Sequence, residues 1–263
     1  MGKATFDYSD KAILVTGGGS GIGAAMARAF AKAGGQVAVA DINPEAAEKS
    51  VEAIRVGGGR AEAFLVDVGN EESVKKLVAS VVGKFGGIDV ALNNAGIEAN
   101  VVPLADLDSA NWQRVSDVNL SSVFYCMKAQ IPVMIARGGG AILNTASISG
   151  VIAGYNLAAY TATKHGVIGI TRATAVDYAR ANVRVNALCP GLVDTPFIGA
   201  LPQNIRDRLI FSIPMDRPAQ ADEMAQAALW LCSDGASYVT GHAMVVDGGA
   251  SLGATGTRFD DLM

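Results

Sequence analysis

The sequence predicts an α/β protein: one doubly wound parallel sheet of seven strands with helices on both faces. Three observations carry that prediction. Short apolar runs recur along the chain, each followed by a longer segment with helical spacing. The runs lack polar alternation, as strands covered on both faces do. The densest glycine cluster falls where the first run turns into the first helical segment, the place where such sheets approach a ligand. A (β/α)₈ barrel shares the alternation, but seven runs and the position of the glycines favour the open sheet.

In order, the predicted strands are "AILVT" (Ala12–Thr16), "QVAVAD" (Gln36–Asp41), "AEAFLVD" (61–67), "DVALN" (89–93), "GAILNT" (Gly140–Thr145), "VRVNAL" (183–188) and "AMVVD" (243–247). Helical spacing marks 22–33, Pro44–Val56, Glu71–Phe85 and 158–179. The second of these opens with Pro44 and acids, both normal helix-start signals. Strand–helix alternation of this kind builds right-handed βαβ units in one layered domain. No linker divides the chain, so 1–263 reads as a single domain. Residues 1–10 form an N-terminal extension, 192–218 an irregular substrate loop rich in proline, and 253–263 a patternless tail.

Half the residues are apolar and only 17% are charged, which allows a large core and argues against disorder. A net charge of −4 offers no basic surface for nucleic acid. Cys126, Cys189 and Cys232 are far apart, with no metal-ligand spacing, and read as buried thiols in a reducing compartment. The start "MGKATFDYSDKAILV" has no apolar signal core, and Phe6 stands where a myristoylation motif needs Ser or Thr. No apolar run is long enough to cross a bilayer. The expectation is a cytoplasmic protein with no membrane or nucleic-acid partner and no metal.

"VTGGGSGIG" (15–23) leads from a strand straight into a helix. Glycines permit a sharp turn and close approach, and the free amides of a helix start favour a pyrophosphate. The spacing is Gly17-xxx-Gly21-x-Gly23, with Ser20 and Ile22 between, rather than GxGxxG. Asp41 ends the second strand 18 residues after Gly23, where an acid accepts hydrogen bonds from an adenosine ribose. It reads otherwise as a turn or helix-cap residue before "INPE". A 2′-phosphate would meet a like charge there, with no Arg or Lys at Ser20 or Ile42 to offset it. NAD is therefore expected in preference to NADP.

Tyr160 and Lys164 stand four apart in "AAYTATKHGVIG", on one face of a helix. A free phenol ionises near pH 10, too high for a neutral-pH base. A neighbouring ammonium and a cationic nicotinamide in a partly dry cleft lower that value. The phenol can then take a proton from an alcohol or return one to a ketone. Two such residues alone form an ordinary surface pair.

Taken with the other motifs, the chain resembles the short-chain dehydrogenase/reductase superfamily in its single-domain, Rossmann-type form, over roughly residues 11–252. "TGGGSGIG" matches the cofactor turn, and Asp67-Val68 the adenine-contacting pair. "NNAG" (Asn93, Asn94, Ala95, Gly96) matches the segment after strand four. Pro190-Gly191, Val193 and Thr195 match the nicotinamide-side loop. Asn119, Ser147, Tyr160 and Lys164 match the catalytic tetrad. The resemblance implies that Tyr160 is the acid/base and that Lys164 holds the nicotinamide ribose and acidifies Tyr160. Ser147 would hydrogen-bond the substrate oxygen, and Asn119 would hold a relay water. It also implies a homotetramer, formed through the helices of Asn119 and Tyr160 and the last strand.

His165 points away from the Tyr160 face and His242 begins the last strand; neither suggests a ligand set. Phe197, Ile198, Leu201, Ile205, Leu209 and Phe211, with Ile148, Val151, Ile152, Tyr155 and Leu157, suggest an apolar substrate pocket. The expected substrate is an apolar secondary alcohol, cyclic in one version, or its ketone. Two other functions remain open: an NADPH-dependent 3-oxoacyl-(acyl-carrier-protein) reductase, which Asp41 discourages, and a non-catalytic dinucleotide-binding sensor or scaffold, which the intact tetrad discourages.

Overall fold

The computed structural model describes residues 5–195, 198 and 202–252. Seven strands form one parallel sheet: β1 (Ala12–Thr16), β2 (Gln36–Asp41), β3 (Arg60–Leu65), β4 (Val90–Asn93), β5 (Gly140–Thr145), β6 (Val183–Pro190) and, at the far edge, the strand Ala243–Val246. That last one is β9, because a two-residue pair, β7 (Val193–Asp194) with β8 (Ala219–Gln220), stands apart. The sheet order is β3-β2-β1-β4-β5-β6-β9. The order reverses between β1 and β4, and a crevice opens beyond the strand C-termini at that point.

The central strands are apolar on both sides because both sides are covered. In β1, Ile13 and Val15 join one buried cluster and Leu14 the other. The first cluster takes in α1 (Gly21–Lys32) and α2 (Pro44–Val56). The second takes in α3 (Glu71–Phe85), α5 (Ser122–Ala136) and α6 (Ala158–Tyr178). Between α3 and α5 lies α4 (Ser109–Ser116), which runs through a π-helical turn, Asp117–Ser121, into α5. After β7 come α7 (Gln203–Phe211) and then α8 (Ala221–Cys232), which packs on α1.

The helix starts show what each end is for. Asn43 caps α2 by accepting from the amides of Glu45 and Ala46, and Asn70 caps α3 through Ser73. Such caps satisfy amides that a helix leaves free. The α1 cap, Ser20, makes no side-chain cap bond, so the first amides of α1 remain available.

A buried polar chain ties the helices to the sheet. Gln130 of α5 exchanges hydrogen bonds with Asn93, Nε2 donating to Oδ1 at 2.8 Å and Asn93 Nδ2 donating back at 3.1 Å. Asn93 Nδ2 also donates to Asn144 Oδ1, and Asn144 Nδ2 donates to Thr171 Oγ1 of α6, each at 2.9 Å. Each of these buried groups would cost about 1–3 kcal/mol if left unpaired, so the chain fixes α6 against β4 and β5.

Some expected boundaries change. The third strand ends at Leu65, leaving Asp67 in the following turn, where it accepts from the Gly69 amide. The sixth strand extends to Pro190, and the last stops at Val246. Within the stretch expected to be irregular, α7 forms with no buried residue, so its sequence carries no apolar stripe to announce it. The helix α5 is apolar on most sides and contains Pro132, which hides its period. The tail 253–263, Phe197 and Leu201 lie outside the described residues.

Candidate active site

Every loop at the C-terminal side of the central strands contributes to one cleft of about 940 Å³. The glycine turn after β1 brings Gly17, Ser20, Gly21 and Ile22; Asp41 and Ile42 follow β2, and Asp67 and Val68 follow β3. Asn94, Ala95 and Gly96 arrive after β4, Ser147 after β5, and Pro190, Gly191, Val193 and Thr195 after β6. Tyr160 and Lys164 enter from α6. Three of the expected site residues, Gly23, Asn93 and Asn119, do not line it.

Gly17 has a φ of +62°, and a Cβ there would sit 2.8 Å from the Ala95 Cα. At Gly23 a Cβ would run into the Gly17 carbonyl oxygen, so this glycine lets α1 close on the turn rather than meeting a ligand. Asp41 Oδ2 accepts from the Gly19 amide at 2.9 Å and Oδ1 from the Asn43 amide at 3.0 Å. Asn43, not Asp41, caps the helix. The Asp41 carboxylate is thus locked beside the glycine turn, facing the cleft.

Lys164 is buried, and its Nζ donates to the Thr145 carbonyl oxygen at 3.0 Å. It lies 5.5 Å from the Tyr160 ring centroid. The Ser147 hydroxyl is within hydrogen-bonding reach of the Tyr160 phenol, and Ser147 Oγ also accepts from the Ser149 amide at 3.1 Å. Burial pushes Lys164 down to about 8, opposed by the Glu98 charge. Tyr160 is pushed up to about 12, first by burial and then by Glu98, with the Ser147 hydrogen bond opposing. Of the two positive charges expected to lower the phenol, the Lys164 ammonium is in place but does not outweigh the burial. Within the chain alone the phenol is held protonated, and a further positive charge beside it is required to lower it.

Asn119 is bonded twice to one loop residue. Its Oδ1 accepts from the Ile97 amide and its Nδ2 donates to the Ile97 carbonyl, both at 2.8 Å. The side chain clamps a loop, which leaves one Nδ2 hydrogen and one Oδ1 lone pair for any further partner. Asn93 is equally committed to the interior chain of Gln130 and Asn144. Asn94 ties strand ends together: its amide reaches Thr16 Oγ1 at 3.1 Å, and its Oδ1 accepts from Thr145 Oγ1 at 3.3 Å.

The substrate end of the cleft is lined by Ile97, Ile148, Ile152, Leu157, Leu192, Ile198, Leu209 and Ile213. Val151, Tyr155, Ile205 and Phe211, expected there, do not line it, and Tyr155 is turned fully to solvent. Glu98 lines the cleft and was not singled out in the sequence. The available signal was an acid two residues past "NNAG", at a strand C-terminus where ligand-facing residues gather. Its carboxyl is raised from the ordinary value by burial, with Lys164 opposing. His165 is exposed and its Nδ1 is 2.9 Å from the Thr161 carbonyl oxygen. Among the described residues no group of three or more His, Cys, Asp or Glu could hold a metal, and no helix is long and apolar enough to cross a membrane.

The residues present fit a dinucleotide. An uncapped helix start faces a cleft long enough to run from Asp41 to Tyr160, and the Gly17 turn leaves no side chain in the way. Comparisons with known proteins agree. A family model described as enoyl-(acyl carrier protein) reductase matches residues 17–251. The chain is 45% identical over 247 residues to a 2,5-dichloro-2,5-cyclohexadiene-1,4-diol dehydrogenase of Sphingobium indicum, covering 92% of this chain and 98% of the relative. It is 43% identical over 241 residues to a cyclohexanol dehydrogenase of an Acinetobacter species, covering 92% and 95%. A crystal structure of NAD⁺-bound xylitol dehydrogenase superposes with a TM-score of 0.88 at 35% identity, covering 92% of this chain and 99% of that one.

Proposed function

The chain belongs to the short-chain dehydrogenase/reductase family and is an alcohol/ketone oxidoreductase, and on that premise we propose that it oxidises cyclic secondary alcohols with NAD. The observation that carries the reading is the convergence of Ser147, Tyr160 and Lys164 in one cleft that is also lined by the Asp41 carboxylate. An apolar lining of Ile97, Ile148, Ile152 and Leu157 beside the phenol suits a small carbocycle, and the two cyclohexane-type relatives support the same class.

The first amides of α1 would hold the pyrophosphate, and Asp41 the hydroxyls of the adenosine ribose. Asp67 and Val68 would face the adenine. Lys164, with Asn94, Ala95 and Gly96, would face the nicotinamide ribose, and Pro190, Gly191, Val193 and Thr195 would border the ring. When bound, the oxidised nicotinamide supplies the acceptor for the carbinol hydrogen and a positive charge close to Tyr160. That charge offsets the burial that holds the phenol near 12, so Tyr160 can take the hydroxyl proton. In the reducing direction the same phenol is already protonated and donates. The Ser147 hydroxyl donates to the reacting oxygen and stabilises the charge that develops on it. The Lys164 ammonium, half-neutral near pH 8, passes protons onward. Asn119 acts by holding Ile97.

The cofactor preference follows from Asp41. A 2′-phosphate against that carboxylate would pair like charges, and neither Ser20 nor Ile42 offers a cation. With a cyclic secondary alcohol as substrate, kcat/KM measured with NAD is expected to exceed that with NADP by about 100-fold. An equal or larger value with NADP would contradict the assignment, as would failure to oxidise any alcohol of this class.

A homotetramer is part of the proposal. Phe124 and Ile135 on α5, Val176 on α6 and Val245 on the edge strand β9 are exposed apolar side chains on the elements such an assembly would use. Three buried, unpaired thiols support a reducing cytoplasmic setting.

A further inference from the structure

One charged side chain in the cleft is held by no direct contact, although the Lys164 ammonium attracts it. Glu98 makes no hydrogen bond or ion pair among the described residues, and it is exposed to the cleft that holds Ser147 and Tyr160. We infer that Glu98 selects the substrate: its carboxylate accepts a hydrogen bond from a second hydroxyl, so the cleft favours diols on a small carbocyclic frame over simple alcohols. The inference rests on the alcohol-dehydrogenase reading and deepens it.

The position of Glu98 is built, not incidental. Two residues before it, Gly96 lies so close to Lys164 that a Cβ on it would be 3.5 Å from Nζ. The intervening Ile97 is bonded at both its amide and its carbonyl by Asn119. On the other side, the Asn100 amide donates to Asn111 Oδ1 at 3.1 Å. Ile97 and Ala99 pack in one apolar cluster with Tyr160 and Val115. Between these two more buried neighbours Glu98 is exposed, and it lines the cleft. A carboxylate held there loses water when a substrate enters, and that loss is offset only if the substrate brings a donor. The other acids lining the cleft, Asp41 and Asp67, follow β2 and β3, on the far side of the glycine turn. Near the reacting oxygen, Glu98 is the acid that remains, with apolar side chains around it and the Lys164 ammonium as its counter-charge. An alcohol with a second hydroxyl supplies the donor; a substrate with its own carboxylate meets a like charge.

The test compares kcat/KM for cyclohexanol, cyclohexane-1,2-diol, cyclohexane-1,4-diol and cis-4-hydroxycyclohexanecarboxylate, with NAD, in the wild type, Glu98→Gln and Glu98→Ala. The wild type is expected to prefer at least one diol over cyclohexanol by about 10- to 100-fold, expressed mainly in KM. Glu98→Ala is expected to lose that preference. Both variants should gain on the hydroxycarboxylate relative to cyclohexanol, a change that a merely damaged protein would not show. The inference is overturned if the wild type oxidises cyclohexanol as well as the diols. It is also overturned if all four substrates fall by one factor in the variants, the signature of a proton path through Tyr160 rather than of selection. A wild type inert toward the whole panel would sink the parent reading, and this one with it.

Discussion

Replacing Tyr160 with phenylalanine is expected to lower kcat for alcohol oxidation by about 10²- to 10⁴-fold, the range contributed by a positioned acid/base. The ring of Tyr160 packs with Ile97, Ala99, Val115 and Ala159, and phenylalanine keeps all of that contact. Only the oxygen near Ser147 is lost. The variant should therefore fold, keep its thermal stability and still bind dinucleotide, with the loss confined to turnover. Steady-state rates with a cyclic alcohol, set beside dinucleotide titration of the same variant, separate the two. A variant that turns over at the wild-type rate would remove Tyr160 from the proton path.

Lys164→Met is expected to do two opposite things. Activity should fall by about 10²-fold or more, because a positioned ammonium is lost from the proton path. Stability should rise. Burial holds Lys164 at about 8 in the folded chain, against 10.5 for a free lysine. A gap of that size is worth about 3 kcal/mol against the folded state when both forms carry the proton. The lost hydrogen bond to the Thr145 carbonyl returns part of this, so a net gain of about 1–2 kcal/mol is expected. The pH dependence gives the sign independently. Because the folded value lies below the unfolded one, the unfolded chain takes up the proton first as pH falls. The wild type is therefore least burdened above about 10.5, loses stability as pH falls toward about 8, and is level below that. Tyr160, raised to about 12, acts only above pH 10 and in the opposite sense, with stability lost as pH rises. Denaturant unfolding between pH 7 and 9.5 stays below the free-tyrosine midpoint of about 10, but burial raises the Cys126, Cys189 and Cys232 thiols, which cost stability as pH rises through about 9 in wild type and variant alike. Measured against Lys164→Met, the wild type should gain stability with pH over that window, the thiol contribution being common to both proteins. A variant less stable than the wild type at pH 7 would show that the ammonium is not held at a cost.

What was legible from sequence, and what was not, divides by the range of the interaction concerned. The strands β1, β2 and β5 and the helices α2 and α3 have the bounds that apolar runs and cap residues indicate, because those signals are local: Asn43-Pro44 before α2, Asn70 before α3 and glycine after it. The glycine turn, Asp41, Ser147, Tyr160 and Lys164 converge because each sits at the end of its own element on the same side of the sheet. Side-chain direction was not legible. Asn93 and Asn94 are neighbours in one motif, yet one is spent inward on Gln130 and Asn144 while the other bridges strand ends over the cleft. Asn119 turns to Ile97 across 22 residues, a contact no local pattern encodes. Glu98 passed unnoticed because a single acid in a loop resembles any solvated charge until its neighbours are known. The direction of the Tyr160 shift depends on burial, which spacing alone does not report.

The central claim is that the Tyr160 phenol carries the proton. The pH profile of kcat/KM for NAD-dependent oxidation of a cyclic alcohol, measured in the wild type and in Tyr160→Phe, tests it most directly. The wild type should lose activity toward acid with an apparent pKa well below the free-tyrosine value of about 10. In Tyr160→Phe that limb should vanish, leaving a weak rate that rises with hydroxide concentration. The same acid limb persisting unchanged in the variant would contradict the account, because the titrating group would then be something other than this phenol.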